Sequence, residues 1–274
     1  MRQVESALLT HQNIATRHAH ASLMHGLPHA HASLRHGLPH AHVSLRHGLP
    51  HGCFELMPVI NAAQREQVHH LRYQIYCEEY SFENPTQYPD GLEIDEFDIH
   101  SVHCLIFNHH TDQAIGTVRL ILPLYNRPAL SFPIQGMCRH PMMRDPAILN
   151  SAAEVSRFAI SKSARSNCDV GIPQNFCSSL LIIMLVKGVV QMGRDNGIND
   201  LFAVMEPTLL RLLAGRFAFH FNPIGPLVDY HGMRQPCHAN LGRLLERTKR
   251  DNFAVWSYIT GRDHHVTASI PLPK

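Results

Sequence analysis

The segment Glu154-Val155-Ser156-Arg157-Phe158-Ala159-Ile160 constrains this chain more than any other. It reads as a buried strand, yet it carries a glutamate and an arginine. A charge in apolar surroundings costs several kcal/mol unless it is paired, so the fold must supply partners or use the charge for chemistry. Side chains alternate along a regular strand, which sends Glu154 and Arg157 to opposite faces. Both reach one site only where the strand is bulged or splayed.

The rest of the chain is long enough to build such surroundings. Its 274 residues allow one large domain or two small ones with ample core, and a hydrophobic fraction of 45% excludes overall disorder. The net charge of +2 hides a segregation: eight acids and no Lys or Arg lie between Glu78 and Asp98. From Arg139 to Arg165 the bases Arg139, Arg144, Arg157, Lys162 and Arg165 face only Asp145 and Glu154. An acidic wall and a basic wall suit a substrate with a cationic and an anionic part. No strong basic patch with interleaved aromatics points to nucleic acid. Seven scattered cysteines without a CxxC pair read as reduced thiols of a cytoplasmic protein. The run Leu180 to Val186, closed by Lys187, is too short to span a membrane, and no secretory signal is expected.

Residues 20 to 52 hold three copies of an eleven-residue unit starting at His20, His31 and His42, and 11 of the 23 histidines lie in the first 51 residues. A Gly and a Pro in every unit prevent a continuous helix. The tract reads as a disordered low-complexity extension over 1–53, with metal binding by its His-x-His pairs as the sharper alternative. A folded domain over 54–262 and a tail over 263–274 complete the division. Periodicity predicts a helix over Ala62 to Glu79 and strands over Val102 to Phe107, Ala114 to Leu122 and Ala153 to Ile160. A Pro-rich connection over 123–150 follows the second of these strands. Next come a buried helix over Ser178 to Met192, a strand over Asn199 to Met205 and a helix from Pro207 with Gly215 as C-cap. A strand over Phe217 to Phe221, a helix over His238 to Thr248 and a last strand over Phe253 to Ile259 end the domain. The order predicts an α/β protein with a mixed central sheet flanked by helices.

Several motifs occur in a recognisable order: Leu71-Arg72-Tyr73-Gln74-Ile75-Tyr76, Leu92-Glu93-Ile94-Asp95-Glu96-Phe97-Asp98, Gly116-Thr117-Val118-Arg119-Leu120 and Glu154-Val155-Ser156-Arg157-Phe158. Over about residues 55 to 260 the chain resembles acyl-homoserine-lactone (autoinducer) synthases. It resembles more closely the long-chain N-acyl amino acid synthases and the PEP-CTERM/exosortase-associated acyltransferases. Met205 to Leu213, Pro223 to Pro226 and Tyr230 to Pro236 carry the likeness to the last group. The resemblance implies a GNAT-like acyltransferase fold and transfer of a fatty acyl group from the phosphopantetheine thioester of acyl carrier protein to an amine. Acyl carrier protein is then a co-substrate, with no permanently bound cofactor and no metal. The chain departs from autoinducer synthases in having Trp256 as its only tryptophan, and from coenzyme A-type members in having no glycine over Ser161 to Asp169.

Aminolysis of a thioester needs a neutral amine, a stabilised oxyanion and a leaving thiolate that can be protonated. Glu154 is the candidate base; a strand-end glutamate paired with an arginine is the bland alternative. Arg157 joins it in the catalytic pair. Arg72, Asp95, Asp98, Arg119 and Ser156 are candidate substrate-binding residues: Arg119 or Arg157 binds the acceptor's carboxylate and Asp95 and Asp98 orient its ammonium, or the arginines form a salt-bridge network with Asp95 and Asp98 that fixes the wall. Lys162 and Arg165, just past the central strand, are placed to meet the acidic carrier and its pantetheine arm. Acyl-homoserine-lactone synthesis and non-catalytic binding of the acyl carrier are the competing readings.

Overall fold

The computed structural model describes residues 53–166 and 174–262. The His-rich repeats and the tail from 263 lie outside them. Eight strands form one sheet in the order β1-β2-β3-β4-β5-β8-β6, with β7 paired to β8. They are β1 (Phe54–Pro58), β2 (Ser101–Asn108), β3 (Gln113–Ile121), β4 (Ala152–Ile160), β5 (Asp200–Met205), β6 (Asn222–Pro223), β7 (Val228–Asp229) and β8 (Met233–Asn240). Every pairing is antiparallel except β4 with β5. That parallel pairing ends at Val155 opposite Ala203, although β4 runs on to Ile160. The two central strands therefore part beyond Val155.

One face of the sheet carries helix α1 (Ala62–Tyr73), capped by the Asn61 carboxamide, which accepts the Gln64 N–H. A π-helical turn over Gln74–Glu79 prolongs it, so the expected helix over 62–79 changes its winding near its end. Val68, Leu71 and Ile75 of this face pack on Leu105 of β2. The connection after β3 covers the rest of the face with two short helices, α2 (Ile134–Met137) and α3 (Pro146–Leu149). Phe132, Ile134, Met143 and Leu149 bury there against Ile121 and Phe202.

The other face packs on α5 (Gln174–Asp195), which follows the short α4 (Lys162–Ser166). The span Cys177–Asp195 is apolar and long enough to cross a membrane, unlike the short run seen in sequence, but 72% of it is buried inside the fold. It approaches β2 closely: a Cβ on Gly188 would stand 3.0 Å from the Cys104 Cβ. Cys53, Cys77, Cys104, Cys138 and Cys237 are free, as a reduced set predicts, whereas Cys177 is disulfide-bonded.

The sequence misplaces the C-terminal elements. Helix α6 (Pro207–Phe217) runs through Gly215 and closes at Ala218, in the left-handed region at φ 52, where the Phe219 N–H returns to the Leu213 carbonyl. Phe217, Phe219 and Phe221 all bury, an alternation that mimics a strand, yet only Asn222–Pro223 pairs. His238 belongs to β8, not to a helix, because Asp200 to Met205 offers it a full edge; helix α7 starts afterwards (Leu241–Asp251). The expected last strand is helix α8 (Phe253–Ile259). The Asn252 side chain accepts the Val255 N–H, and Val255 and Ile259, four apart, both bury. Six apolar and aromatic residues around Ser257 fit either period, and packing against the neighbouring helices decides between them.

Candidate active site

β4 supplies the centre. Opposite β3, Ser156 faces Arg119 and Ala159 faces Thr117, so two residues of β4, Arg157 and Phe158, stand against one of β3. Arg157 takes φ 49 in this bulge. Without the extra residue Arg157 would point with Val155 into the α5 side. With it, Glu154, Ser156 and Arg157 all face the α1 side, the condition under which both charges of the strand share one site.

Three arginines and three carboxylates interlock there. Arg72, fully buried, donates from Nε to Glu93 at 2.5 Å and from its terminal nitrogens to Asp98 at 2.6 and 3.0 Å. Arg119 donates to Ser156 Oγ at 2.9 Å, to both oxygens of Asp95 at 2.6 and 2.9 Å, and to Asp98 at 2.9 Å. Arg157 holds Glu93 at 3.1 and 2.7 Å and Asp95 at 3.1 Å, and its guanidinium lies 5.1 Å above the Tyr76 ring. Asp95 and Asp98 also cap the 3-10 turn Glu96–His100 reciprocally, which fixes the acidic loop on the sheet. Burial raises the Glu93 and Asp98 carboxyls, but the guanidiniums override it. Arg157 and then Arg72 hold Glu93 at about 2, and Arg72 with Arg119 keeps Asp98 well below the usual carboxylate range.

Glu154 stands apart from this network. It is 3% exposed, between Ile121 and Phe202 in the strand register. Its Oε2 accepts the Ile134 N–H at 2.9 Å. Burial pushes its carboxyl up to about 7; the Ile134 N–H, Arg119 and Arg157 oppose the shift without cancelling it. An acid that exchanges its proton near neutrality suits general-base work.

The sequence singled out Asp95, Asp98, Arg72, Arg119, Ser156 and Arg157, and the structure brings all six together. Lys162 lies away from them at the start of α4, where its N–H donates to Glu79 Oε2 at 2.8 Å and its ammonium contacts the Glu79 carbonyl and stands 4.3 Å over Tyr80. The Arg165 side chain lies outside the described residues. Sequence reasoning passed over Glu93, which is buried completely and bridges Arg72 and Arg157. Its place in the acidic run was visible, but nothing marked it above its neighbours. The hairpin Val228–Met233 also reaches the centre. Its Tyr230 phenol is raised by burial and lowered by the charge of Arg157 and a hydrogen bond from it. Its His231 lies 3.4 Å from Glu83 and 5.5 Å, ring to ring, from Phe82.

Among the described residues, His69, Asp98 and His103 offer ligand atoms within 4.8 Å of one another. Burial and then Arg72 hold His103 down to about 3, so it is neutral. Both oxygens of Asp98 are already engaged by Arg72, Arg119 and the Asp95 N–H. A metal ion would stand beside two guanidiniums, so this chemistry does not favour one.

Residues 71–169 match the acetyltransferase (GNAT) domain family, and they include every member of the network and Glu154. Over that stretch the chain is similar to a GNAT domain. Its fold is shared with TofI, solved in a ternary complex with an inhibitor and MTA (17% identity, TM-score 0.53, 72% of this chain and 96% of that one). It is shared also with BjaI, a CoA-dependent acyl-homoserine lactone synthase solved with SAM and isopentyl-CoA (19% identity, TM-score 0.51, 81% and 94%). FeeM, an N-acyl amino acid synthase from uncultured soil microbes, aligns at 15% identity and TM-score 0.46 over 71% and 93%. No curated protein matches the sequence. The matched model is that of an acetyltransferase domain.

Proposed function

We propose that this GNAT domain is a fatty N-acyltransferase. It moves an acyl group from the pantetheine thioester of acyl carrier protein to the amine of an amino acid, giving an N-acyl amino acid. The observation that carries the reading is Glu154, a buried carboxyl held at about 7 where β4 and β5 begin to part. In the proposed reaction Glu154 takes a proton from the acceptor ammonium, directly or through water. The freed amine attacks the thioester carbonyl, the C–N bond forms, and the C–S bond breaks with the thiolate taking up a proton. Past Val155 the edge of β4 that faces β5 has no strand partner among the described residues, so its backbone groups are available to an extended pantetheine arm and to the developing oxyanion. Arg72, Arg119, Arg157, Ser156, Asp95 and Asp98 form the rigid wall that positions the strand and the acidic loop.

Two features support a carrier-bound donor over free coenzyme A. Ser161 to Asp169 has no glycine, and the Glu79 carboxylate, itself held by Gln74 at 2.9 Å, takes the first N–H of α4. A fixed negative charge there repels a pyrophosphate. Lys162 and Arg165 are the proposed contacts for the acidic carrier, and such a donor places the reaction in the cytoplasm.

The test is mass spectrometry of mixtures holding the protein, acyl-loaded carrier protein or acyl-CoA, and amino acids. An amide product from the loaded carrier is expected, reduced about 100-fold by Glu154→Gln. An undiminished product discards Glu154 as base. MTA release when SAM is the acceptor would favour lactone synthesis.

A further inference from the structure

An amino acid brings a carboxylate to the site with its amine, and the three central arginines have little left to offer it. Arg72 is spent on Glu93 and Asp98, Arg119 on Ser156, Asp95 and Asp98, and Arg157 on Glu93, Asp95 and Tyr230. Three guanidiniums meet three carboxylates, so the charges cancel. A substrate carboxylate bound here would break a buried ion pair, which costs more than the new contact returns.

Arg234 is differently placed. It lies on β8, opposite Val228 of β7, two residues before Pro236 and four before His238. His238 faces Phe202, which faces Glu154, so strand alternation puts Arg234 on the same side of the sheet as Glu154. Its guanidinium folds back over the turn: a Cβ on Gly232 would lie 3.6 Å from a terminal nitrogen, and Gly232 stands at φ 94. Arg234 is half-buried and, among the described residues, has no ion pair or hydrogen bond to a carboxylate. The hairpin that carries it is anchored on the centre at two points, Tyr230 on Arg157 and His231 on Phe82 and Glu83. A partly desolvated guanidinium on a fixed hairpin, with its fork uncommitted, is a ready receptor for a carboxylate.

We propose that Arg234 binds the carboxylate of the acceptor, so that the acceptor class is amino acids with a free carboxyl group. This rests on the N-acyltransferase reading above. The test compares a free amino acid with its carboxamide, using acyl-loaded carrier protein as donor. The wild-type chain is expected to show a KM for the free acid about 10–100-fold below that for the carboxamide, and Arg234→Gln to bring the ratio of the two toward one. Arg234→Lys, which keeps the charge and loses the fork, is expected in between. Equal KM values in the wild-type chain overturn the proposal without any variant, and so does a ratio that survives Arg234→Gln. A protein that acylates no amine at all sinks the reading of function as well, whereas one that acylates both acceptors alike sinks only the role of Arg234.

Discussion

Glu154 and Glu93 are both buried acids on one face of the sheet, and their surroundings push them in opposite directions. Glu154 has apolar neighbours and a single N–H donor, which raises it to about 7; Glu93 lies between two guanidiniums, which lower it to about 2. As a base Glu154 must be ionised, so kcat/KM is expected to climb with pH through an apparent value near 7, and Glu154→Gln to abolish that limb. The raised group also opposes folding once ionised. Stability is therefore expected to fall as pH rises from 4.5, the ordinary carboxyl value, through about 7, and the same substitution should flatten this slope in thermal melts. Glu93 has the reverse sign. Its contribution is complete above 4.5 and lost as pH falls toward about 2, so acid unfolding should begin in that window. Glu93→Gln leaves Arg72 and Arg157 short of a counter-charge and should cost about 3–5 kcal/mol in urea unfolding. A loss under 1 kcal/mol would mean the network relaxes around the gap, as an exposed ion pair does.

Two elements set the site, and each depends on one local irregularity. The bulge at Arg157 turns a charged side chain from the α5 face to the α1 face, and the π-turn over Gln74–Glu79 brings Tyr76 under that guanidinium. On the opposite face, α5 lies so close to β2 that Gly188 has no room for a methyl group. Its nearest neighbour would be the Cys104 Cβ at 3.0 Å, on a strand buried in the sheet and unable to retreat. Gly188→Ala gains helix propensity of about 1 kcal/mol, but overpacking of this kind costs about 1–3 kcal/mol. A net loss of stability is expected in thermal unfolding, with a shift in acceptor KM if α5 moves the sheet. A stabilised variant would show that the helix can slide. The elements themselves were unequally legible. Ala153 to Ile160 and Ala62 to Glu79 have strong periods and fell where expected. Met233 to Asn240 follows Gly232 and contains Pro236 and His238, which hide its alternation, and it becomes a strand because β5 presents an open edge.

At the scale of the molecule, the parting of β4 from β5 leaves an edge for a substrate arm, and Lys162 stands at the C-terminal end of β4. If an acidic carrier docks there, association is steered by charge. Its kcat/KM should drop about tenfold as ionic strength rises from low to well above physiological, while the KM of the amino acid changes much less. A salt-independent rate with the carrier would remove charge steering. The sequence by itself determined the alternation of helices and strands as far as the helix at Pro207, the burial of a glutamate and an arginine in the central strand, and the presence of enough opposite charge nearby to neutralise it. These follow from local period and from the cost of leaving a charge unpaired. Only the tertiary structure decided which acid meets which base, that Glu93 completes the network, that Glu154 is left out of it, and that Arg234 meets no carboxylate among the described residues. Such outcomes depend on register, on a single bulged residue and on loops far apart in the chain, and none of these leaves a periodic trace.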